Sequence, residues 1–487
     1  MMNRELLIEY TPDLVRAAVL EDGKLCEMHR ERVQGKKQTD SLYLGRVKAI
    51  RPSVGAAFVD IGEETHAFLP IRDGSRIKCG DFVIVQGCAI QAVDTKGLRI
   101  SDKINLSGKW LVLVPDGTGV HVSKKIKDPV LREALIQSVE PICPPDCQVI
   151  IRTASSDVTD SALRDELNEL ETLWLDIKRK AAGMLKPGLL HEPLDLVQQM
   201  IRDTGSTLSR IVVNNSIKAR KVEELRLRGW LHKDCQIEYF DEHAQLLNDV
   251  FSLDTQVDKA LRKRVWLNCG GYLVFDLCEA LTVIDVKSGK LVLGRDVEDT
   301  ALRVNLEAAK EIARQLRLRD IGGMVLVDYI DMKDEQHREQ LLHIIRSEAF
   351  KDRSQVHVLG MTKLGLVEMT RKRKGEQLDK SLQSTCKVCD GSGRLLSAEE
   401  CAFRALRQVK RLAISGQRGP FLIRCAAPVA AVLSSLSAPA EQCDVYVAAE
   451  SARHFERFEI NQMDDHAVPP KGAVRLSEGN NEKITSN

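Results

Sequence analysis

The chain has 487 residues, more than one hydrophobic core usually organises, so its length predicts three or more domains and excludes a single small fold. Its 43% hydrophobic and 29% charged residues exclude a chain that is disordered throughout, and the lack of any long apolar run excludes a membrane span. Its 71 Lys and Arg residues almost balance its 70 Asp and Glu residues, which excludes a global positive field for nucleic acid and leaves only local basic patches.

The N-terminal sequence and the cysteines bear on the location of the protein. MMNRELLIEY carries Arg4, Glu5 and Glu9 where a signal peptide would need an apolar core, so we expect a cytoplasmic protein. Thirteen cysteines are an odd number, and most stand singly in apolar surroundings, which is typical of reduced thiols packed as small hydrophobic side chains. One close pair, Cys386 and Cys389, stands apart from this pattern.

The first part of the chain is patterned mainly for β structure. Residues 1–36 alternate apolar and polar residues around Asp22-Gly23, a two-residue hairpin turn, and predict the edge of a small sheet. Residues 37–104 contain short alternating segments separated by Gly or Pro, which is typical of a small closed β-barrel. Residues 105–195 combine strands with a helix from Ser161 to Ala181, in which apolar residues recur every three or four positions.

The later part of the chain changes from helical to mixed patterns. Residues 196–263 continue the helical periodicity, and residues 264–380 alternate strands and helices in the order of an α/β domain. A small α+β segment, residues 396–462, follows the cysteine pair, which lies in residues 381–395. The polar residues 463–487 are expected to form a flexible tail. The sequence therefore predicts a multidomain α/β and α+β protein.

Two aspartates follow apolar strands in the α/β segment. Asp285 closes LTVID and Asp328 closes MVLVD, with a helical repeat between them, which predicts a βαβ crossover and two parallel strands. Both acids then emerge at the same carboxyl edge of the sheet, where ligands of α/β folds bind. Two carboxylates can share a magnesium ion, which can activate water for phosphodiester hydrolysis. The alternative is that each Asp only caps the loop after its strand.

A family resemblance favours the metal site. GGYLVFDLCEALTVIDVKSG and VNLEAAKEIARQLRLRDIGGMVLVDYIDM closely resemble the catalytic block of the bacterial ribonuclease E/G family, and the resemblance extends over nearly the whole chain, weakening after about residue 400. It implies that Asp285 and Asp328 are catalytic and coordinate Mg²⁺ in a deoxyribonuclease I-like domain (264–380). Hydrolysis of RNA would leave a 5′-phosphate and a 3′-hydroxyl. The length resembles that of the shorter branch of the family.

The resemblance also implies the arrangement of the other domains. An OB-type barrel (37–104) would be inserted in a ribonuclease H-like subdomain (1–36 and 196–263), followed by a 5′-phosphate sensor (105–195). A zinc link (381–395) and a small C-terminal domain would complete the fold.

One residue departs from the family pattern beside the acid pair. The family usually has Asn two residues after the first Asp, where this chain has Lys287. Strand alternation places Lys287 on the same face as Asp285, where an ammonium near the cation would repel Mg²⁺. The interpretation we favour is that its long stem swings the ammonium outward to a substrate phosphate.

Two phenylalanines of the predicted barrel share a face with polar residues. Phe58 alternates with apolar neighbours on the same face as Asp60, and Phe68 lies on the same face as His66. Exposed rings can stack on unpaired bases, which favours single-stranded RNA over a duplex. The alternative is an ordinary half-buried Phe. The resemblance implies that Phe58, Phe68 and Lys96 contact RNA.

A second RNA-binding position follows the strand VIIRTAS. Arg152 and Thr153 offer a guanidinium and a hydroxyl that could hold a terminal phosphate, although a surface Arg in this position is usually only solvated. The family resemblance implies that they sense a 5′-monophosphate, with Gly108 and Val112 lining the same pocket. The basic run 371–374 could contact phosphates but is more often a solvated face, and no role is assigned to it.

Cys386 and Cys389 have zinc-knuckle spacing and precede a Gly-containing turn. Structural zinc needs four ligands, and the chain has no second pair at this spacing, so a partner chain could complete the site. The resemblance implies this arrangement, with one Zn²⁺ shared in a homodimer or homotetramer. A reduced turn without metal is the alternative.

Taken with the resemblance, these features predict a magnesium-dependent endoribonuclease that acts on single-stranded RNA in ribosomal RNA processing and messenger RNA decay. A catalytically silent RNA-binding or ribosome-assembly factor is the principal alternative. A redox or chaperone module built on the cysteine motif is disfavoured because that motif occurs once and not as an array.

Overall fold

The computed structural model describes residues 3–33, 39–71, 77–88, 98–156, 158–289, 297–373, 375–417, 419–436, 444–451, 454–464 and 466–476. The chain divides into two compact units, Met1–Ser381 and Leu382–Asn487. Among the described residues, no helix has the length and apolar character needed to cross a membrane.

The elements up to residue 191 are mainly strands. In chain order they are β1 (Arg4–Tyr10), β2 (Leu14–Glu21), β3 (Lys24–Arg32), β4 (Leu42–Arg51), β5 (Ala56–Asp60), β6 (Ala67–Pro70), β7 (Phe82–Gly87), β8 (Ile100–Ser101), β9 (Leu106–Ser107), β10 (Leu111–Pro115), β11 (Gly119–Val122), α1 (Pro129–Val139), β12 (Cys147–Ile151), α2 (Asp160–Gly183) and β13 (Gly188–His191).

The elements after residue 191 alternate helices and strands. In chain order they are α3 (Leu196–Thr204), β14 (Arg210–Val213), α4 (Ser216–Leu227), β15 (Gln236–Tyr239), α5 (Leu247–Val250), α6 (Leu253–Leu261), β16 (Arg264–Trp266), β17 (Tyr272–Leu277), β18 (Leu281–Lys287), α7 (Val297–Leu318), β19 (Gly323–Asp328), α8 (Glu335–Lys351), β20 (Val356–Met361), β21 (Leu366–Arg371), α9 (Leu378–Leu382), α10 (Ala398–Ile414), β22 (Phe421–Cys425), α11 (Ala427–Ser434), β23 (Val445–Ala449), β24 (Glu459–Gln462) and β25 (Val474–Arg475).

The first sheet joins two distant parts of the sequence in the order β15-β14-β1-β2-β3. β1 and β14 pair in parallel, so Leu6 lies opposite Ile211 although about 200 residues separate them. The β2–β3 hairpin turns at Asp22-Gly23, and both residues have positive φ, 48° and 76°, as the turn predicted from this dipeptide requires.

The second sheet, β6-β5-β4-β7-β8 with β13 paired to β4, curls into a partly closed barrel. An isolated bridge between Phe68 and Arg99 brings its two ends together. Its interior is apolar and includes Val47, Val59 and Val85. The predicted barrel is therefore confirmed in its strand pattern, although the closure is partial.

The third sheet, β11-β12-β10-β9, packs against α1 and α2. The helix predicted for residues 161–181 is confirmed as α2. Leu163, Leu167 and Leu170 of this helix are buried in the core that it shares with the sheet.

The fourth sheet has the order β16-β17-β18-β19-β21-β20, with α7 and α8 on one face. Helix α7 connects β18 to β19, which lie side by side in parallel, and this confirms the predicted βαβ crossover. Alternate residues such as Ile284, Val325 and Val327 are fully buried against the helices.

The second unit contains the sheet β24-β22-β23-β25 packed on α10 and α11. Strand β25 pairs with β23, and Leu476 is buried, so the prediction of a flexible tail from residue 463 is wrong up to this point. The mixed α/β class and the barrel-like sheet agree with the sequence-based expectation. The subdomain names and the domain boundaries stay predictions.

Candidate active site on the six-stranded sheet

Asp285 and Asp328 lie directly opposite each other on adjacent parallel strands. Because strand residues alternate between the two faces, both side chains leave the sheet on the face opposite α7 and α8. Asp285 is partly exposed and Asp328 is exposed. Asp328 ends β19 as predicted, whereas β18 continues past Asp285 to Lys287. The structure therefore brings the two predicted acids together at one solvent-accessible position.

Lys287 shares the face of Asp285, and its Nζ lies 2.8 Å from Asp285 Oδ2. Its ammonium therefore does not swing outward, and the interpretation favoured from the sequence is wrong for this structure. The hydrogen bond and charge of Asp285 raise the pKa of Lys287, and Asp328 adds to the effect. The ammonium thus neutralises part of the negative charge of the acid pair.

The acid pair fits a magnesium ion in the type and number of its ligands. Mg²⁺ is bound by one or two carboxylates and completes its octahedral shell with water and substrate phosphate oxygens. Within the described ranges, no group of three or more His, Cys, Asp and Glu side chains is arranged to hold a metal. Asp285 and Asp328 are the residues that would hold it, with Lys287 as a competing cation.

Asn305 is a residue of this region that the sequence analysis did not identify. It is fully buried in α7, where its Nδ2 donates to the Ile330 carbonyl (2.8 Å) and its Oδ1 accepts from the Ile330 N–H (3.0 Å). These two bonds attach the segment after Asp328 to the helix. An amide in the apolar stripe of a helix was the available signal, because a buried amide needs partners.

The candidate RNA-binding face of the barrel combines rings and cations. Phe58 and Phe68 pair across β5 and β6 with centroids 6.2 Å apart, edge to face, and both are half-buried. The predicted alternation is confirmed, since the neighbouring Ala57 and Ala67 are buried. The rings themselves are half-buried, as in the alternative to the exposed rings that the stacking interpretation expected. Lys96, the third predicted RNA contact, lies outside the described residues.

A third ring of the barrel was missed by the sequence analysis. Phe82 is exposed, and the guanidinium carbon of Arg46 lies 5.6 Å from its centroid. The two residues are directly paired between β4 and β7. Lys48 also lies on β4, with its Nζ 3.3 Å from Asp60 Oδ2.

Arg152, predicted to sense a phosphate, is already bound within the protein. Its Nη1 donates to the Gly108 carbonyl (2.7 Å), and its Nη2 donates to Asp203 Oδ1 (2.7 Å). Asp203 also binds Arg202 (2.9 Å). Although burial would raise the pKa of Asp203, the charges of Arg202 and Arg152 hold it well below its usual range. A phosphate here would have to share Arg152 with Asp203.

Of the remaining predicted sensor residues, all of which the structure describes, only Gly108 accepts a hydrogen bond from Arg152, through its carbonyl. Thr153 shares a hydrogen bond of 3.0 Å with Ser123, and Val112 is half-buried on β10, opposite Ile150. Gly108 has no room for a side chain, since an added Cβ would lie 2.6 Å from the Glu166 carboxyl carbon.

Glu166 holds this loop in its shape, a role that was not predicted from the sequence. Its carboxylate accepts the backbone N–H groups of Lys109, Trp110 and Leu111 at 2.6–2.7 Å. Burial raises the pKa of Glu166 even though these three bonds favour its charged form. A Glu inside the apolar stripe of α2 was the available signal.

Comparison with known proteins shows which sequences are similar to this chain. The sequence model of the ribonuclease E/G family matches residues 105–374. Ribonuclease G of Salmonella typhimurium is 32% identical over 454 residues, which cover 89% of this chain and 92% of that protein. Ribonuclease G of Haemophilus influenzae is 34% identical over 84% of this chain and 87% of its own length. Ribonuclease E of a Nostoc species is 34% identical over 74% of this chain but only 55% of its own length.

The chain belongs to the ribonuclease E/G family. The resemblance stated from the catalytic block is thus confirmed over most of the sequence, and the similarity extends over nearly the full length of the ribonuclease G relatives.

Cys386 and Cys389 lie on a turn in the second unit of the chain, Leu382–Asn487. Cys386 is exposed, and the backbone N–H groups of Cys389 and Val388 lower the pKa of its thiol. The Gly393 N–H donates to Cys389 Sγ (3.3 Å), and Gly391 and Gly393 both have positive φ. The turn therefore presents two sulfur atoms beside N–H donors, an arrangement that fits half of a tetrahedral zinc site.

The basic run at 371–374 is not a solvated face throughout. Arg371 is buried, with its Nε 2.8 Å from Asp352 Oδ2 and its Nη1 2.8 Å from Asp320 Oδ1. Arg373 packs against Gly322. Lys374 lies outside the described residues. At least Arg371 therefore has a structural role.

Proposed function

We propose that this endoribonuclease of the ribonuclease E/G family hydrolyses single-stranded RNA with Mg²⁺ held by Asp285 and Asp328. The observation that carries the proposal is the placement of the two carboxylates opposite each other, on the accessible face of a sheet whose other face is covered by helices. Cleavage would leave a 5′-phosphate and a 3′-hydroxyl. Processing of ribosomal RNA and decay of messenger RNA are the corresponding roles.

The protein's own contribution to this chemistry is positioning and charge. When bound, Mg²⁺ supplies a Lewis acid for the phosphate and lowers the pKa of a water molecule. Asp285 and Asp328 orient their oxygens from two rigid, hydrogen-bonded strands, and the Asn305 bonds to Ile330 restrain the chain immediately after Asp328. The Lys287 ammonium, held at Asp285, offsets part of the negative charge that the two carboxylates present to a substrate phosphate.

The barrel and the sensor provide the proposed selection of substrate. Phe58 and Phe68 offer ring surface to unpaired bases, and Arg46 and Lys48 add positive charge on β4. Arg152 would hold a 5′-monophosphate together with the Thr153 hydroxyl, which gives the proposed preference for monophosphorylated ends. Zinc shared by the cysteine turns of two chains would link a homodimer or homotetramer.

The function is tested by incubating 5′-labelled single-stranded RNA with the parent chain and with Asp285→Asn and Asp328→Asn, with and without Mg²⁺. We expect internal cleavage by the parent only with Mg²⁺, and loss of cleavage in both variants by at least about a hundredfold with RNA affinity retained. Undiminished cleavage by both variants would overturn the assignment of the acids.

The second candidate is a silent RNA-binding factor, in which the ammonium of Lys287 would keep Asp285 from binding a metal ion. This alternative predicts RNA binding without cleavage by the parent at any Mg²⁺ concentration, and cleavage by Lys287→Asn. Cleavage by the parent excludes it.

A further inference from the structure

Three side chains form a stack at the outer edge of the six-stranded sheet. Trp266 and Tyr272 face each other across β16 and β17, with centroids 5.1 Å apart and ring planes inclined by 56°. The guanidinium carbon of Arg264 lies 4.5 Å from the Tyr272 centroid and 5.9 Å from the Trp266 centroid. We call Arg264, Trp266 and Tyr272 the edge stack.

The edge stack lies on the same face of the sheet as the acid pair. Trp266 is paired with Tyr272, and Tyr272 with Lys287, whose ammonium binds Asp285. Directly paired residues project to the same side. Lys287 and Asp285 are two residues apart on β18, and Asp285 is paired with Asp328, so the edge stack shares its face with both acids but lies two residues along the strands from them. Three strand intervals of about 4.8 Å and an offset of two residues of about 3.3 Å along the strands place Trp266 roughly 16 Å from Asp328.

The exposure and charge of the edge stack suit a nucleic acid. Trp266 is 61% exposed, which is unusual for the largest apolar side chain. Arg264 has no carboxylate partner among the residues that the structure describes, and its guanidinium instead covers the Tyr272 ring. An exposed indole can stack on any base, and a neighbouring guanidinium can bind the adjoining phosphate.

We propose that the edge stack binds a base of single-stranded RNA close to the scissile phosphate, with Trp266 as the stacking surface and Arg264 contacting the backbone. The proposal rests on the proposed function, since it takes Asp285 and Asp328 as the site of cleavage. RNA stacked on Trp266 would pass over Lys287 before it reaches the acid pair. The edge stack is then a positioning and specificity site, separate from the rings of the barrel.

The test is binding of short single-stranded RNAs in which one nucleotide at a time is abasic, measured by fluorescence anisotropy in an Asp285→Asn background. We expect one abasic position to weaken binding about tenfold, the loss of one stacked base. Trp266→Ala should weaken binding of intact RNA by the same factor and abolish the sensitivity to that position. Trp266→Phe, which keeps an aromatic ring, should retain most of the affinity for intact RNA and most of the sensitivity to that abasic position.

Phe350→Ala is the matched control. Phe350 lies on α8, on the helical side of the sheet, and its exposed ring lies beside the ammonium of Lys127. It should leave binding and the abasic pattern unchanged. In the cleaving parent, Trp266→Ala should raise KM about tenfold and leave kcat and half-saturating Mg²⁺ unaltered.

An abasic pattern that is identical with and without the indole would overturn the proposal. A change in sedimentation coefficient on Trp266→Ala would also overturn the proposal. It would mean that a second copy of the chain, and not RNA, covers the ring. Failure of the parent to cleave RNA bears on the acid pair alone, since the binding assay needs no catalysis.

Discussion

The Nζ atom of Lys287 lies 2.8 Å from Oδ2 of Asp285, on the strand face that also carries Asp328. This ion pair places a cation of the protein where a catalytic cation is proposed to bind. The two cations compete for the same carboxylate, because like charges a few ångströms apart repel even at a high effective dielectric constant. Metal affinity at this site should therefore depend on Lys287.

Lys287→Asn should lower the Mg²⁺ concentration for half-maximal cleavage several-fold, because it removes the competing ammonium. RNA affinity in the absence of Mg²⁺ should fall, because a cation near the substrate phosphate is lost. Magnesium titrations of cleavage and binding measure both effects. Lys310→Gln, which changes an exposed lysine of α7 on the other side of the sheet, is the control. An unchanged magnesium titration would show that Lys287 leaves Asp285 before the metal binds.

The parent should cleave 5′-monophosphorylated RNA about tenfold faster than 5′-triphosphorylated RNA. Arg152→Ala should erase this preference, since a charge-assisted contact to phosphate is lost. Asp203→Asn should increase the preference, because the carboxylate that now accepts from Arg152 no longer competes with the phosphate. Cleavage rates on matched oligonucleotides with the two kinds of end provide the measurement. Arg404→Ala, an exposed arginine of α10, serves as the control. Equal rates of the parent on both substrates would contradict a sensor.

Cys386→Ser combined with Cys389→Ser should remove bound zinc and shift the protein toward monomers. If two chains share one ion, the parent should contain about half a zinc per chain. Elemental analysis and sedimentation velocity measure the two quantities. Cys278→Ser, at an exposed cysteine outside the motif, should change neither. A zinc-free parent with unchanged sedimentation in the double variant would argue against the link.

Lys109→Met should change how stability depends on alkaline pH. Burial, with the charge of Arg152, lowers the pKa of Lys109 to about 8. Below this pH the folded state carries the cost of a buried ammonium. Above it the unfolded chain binds more protons than the folded chain, so stability rises as the pH approaches the unfolded pKa.

Urea denaturation should therefore show that Lys109 increases the free energy of unfolding by about 2 kcal/mol between about pH 7 and about pH 9.5. In Lys109→Met this increase should be absent. Lys233→Met, at an exposed lysine, should leave the pH dependence as in the parent. If the stability of the parent and of Lys109→Met changed with pH in the same way, interactions in the folded state would offset the cost of burying the ammonium.

Much of the local structure and the acid pair could be predicted from the sequence. Apolar runs predicted the strands that lead to Asp285 and Asp328, helical periodicity predicted α7 between them, and together these implied parallel neighbours. The turn at Asp22-Gly23 and the buried stripe of α2 followed in the same way. These features are local, since side-chain periodicity and turn chemistry depend on residues a few positions apart.

Only the tertiary structure decided which groups the functional side chains contact. The direction of Lys287, the sharing of Arg152 with Asp203, and the stack of Arg264 on Tyr272 depend on rotamers and on partners in other elements. The pairing of β1 with β14 likewise joins segments about 200 residues apart. Sequence periodicity states which face a residue occupies, but long-range packing and charge determine what that residue meets there.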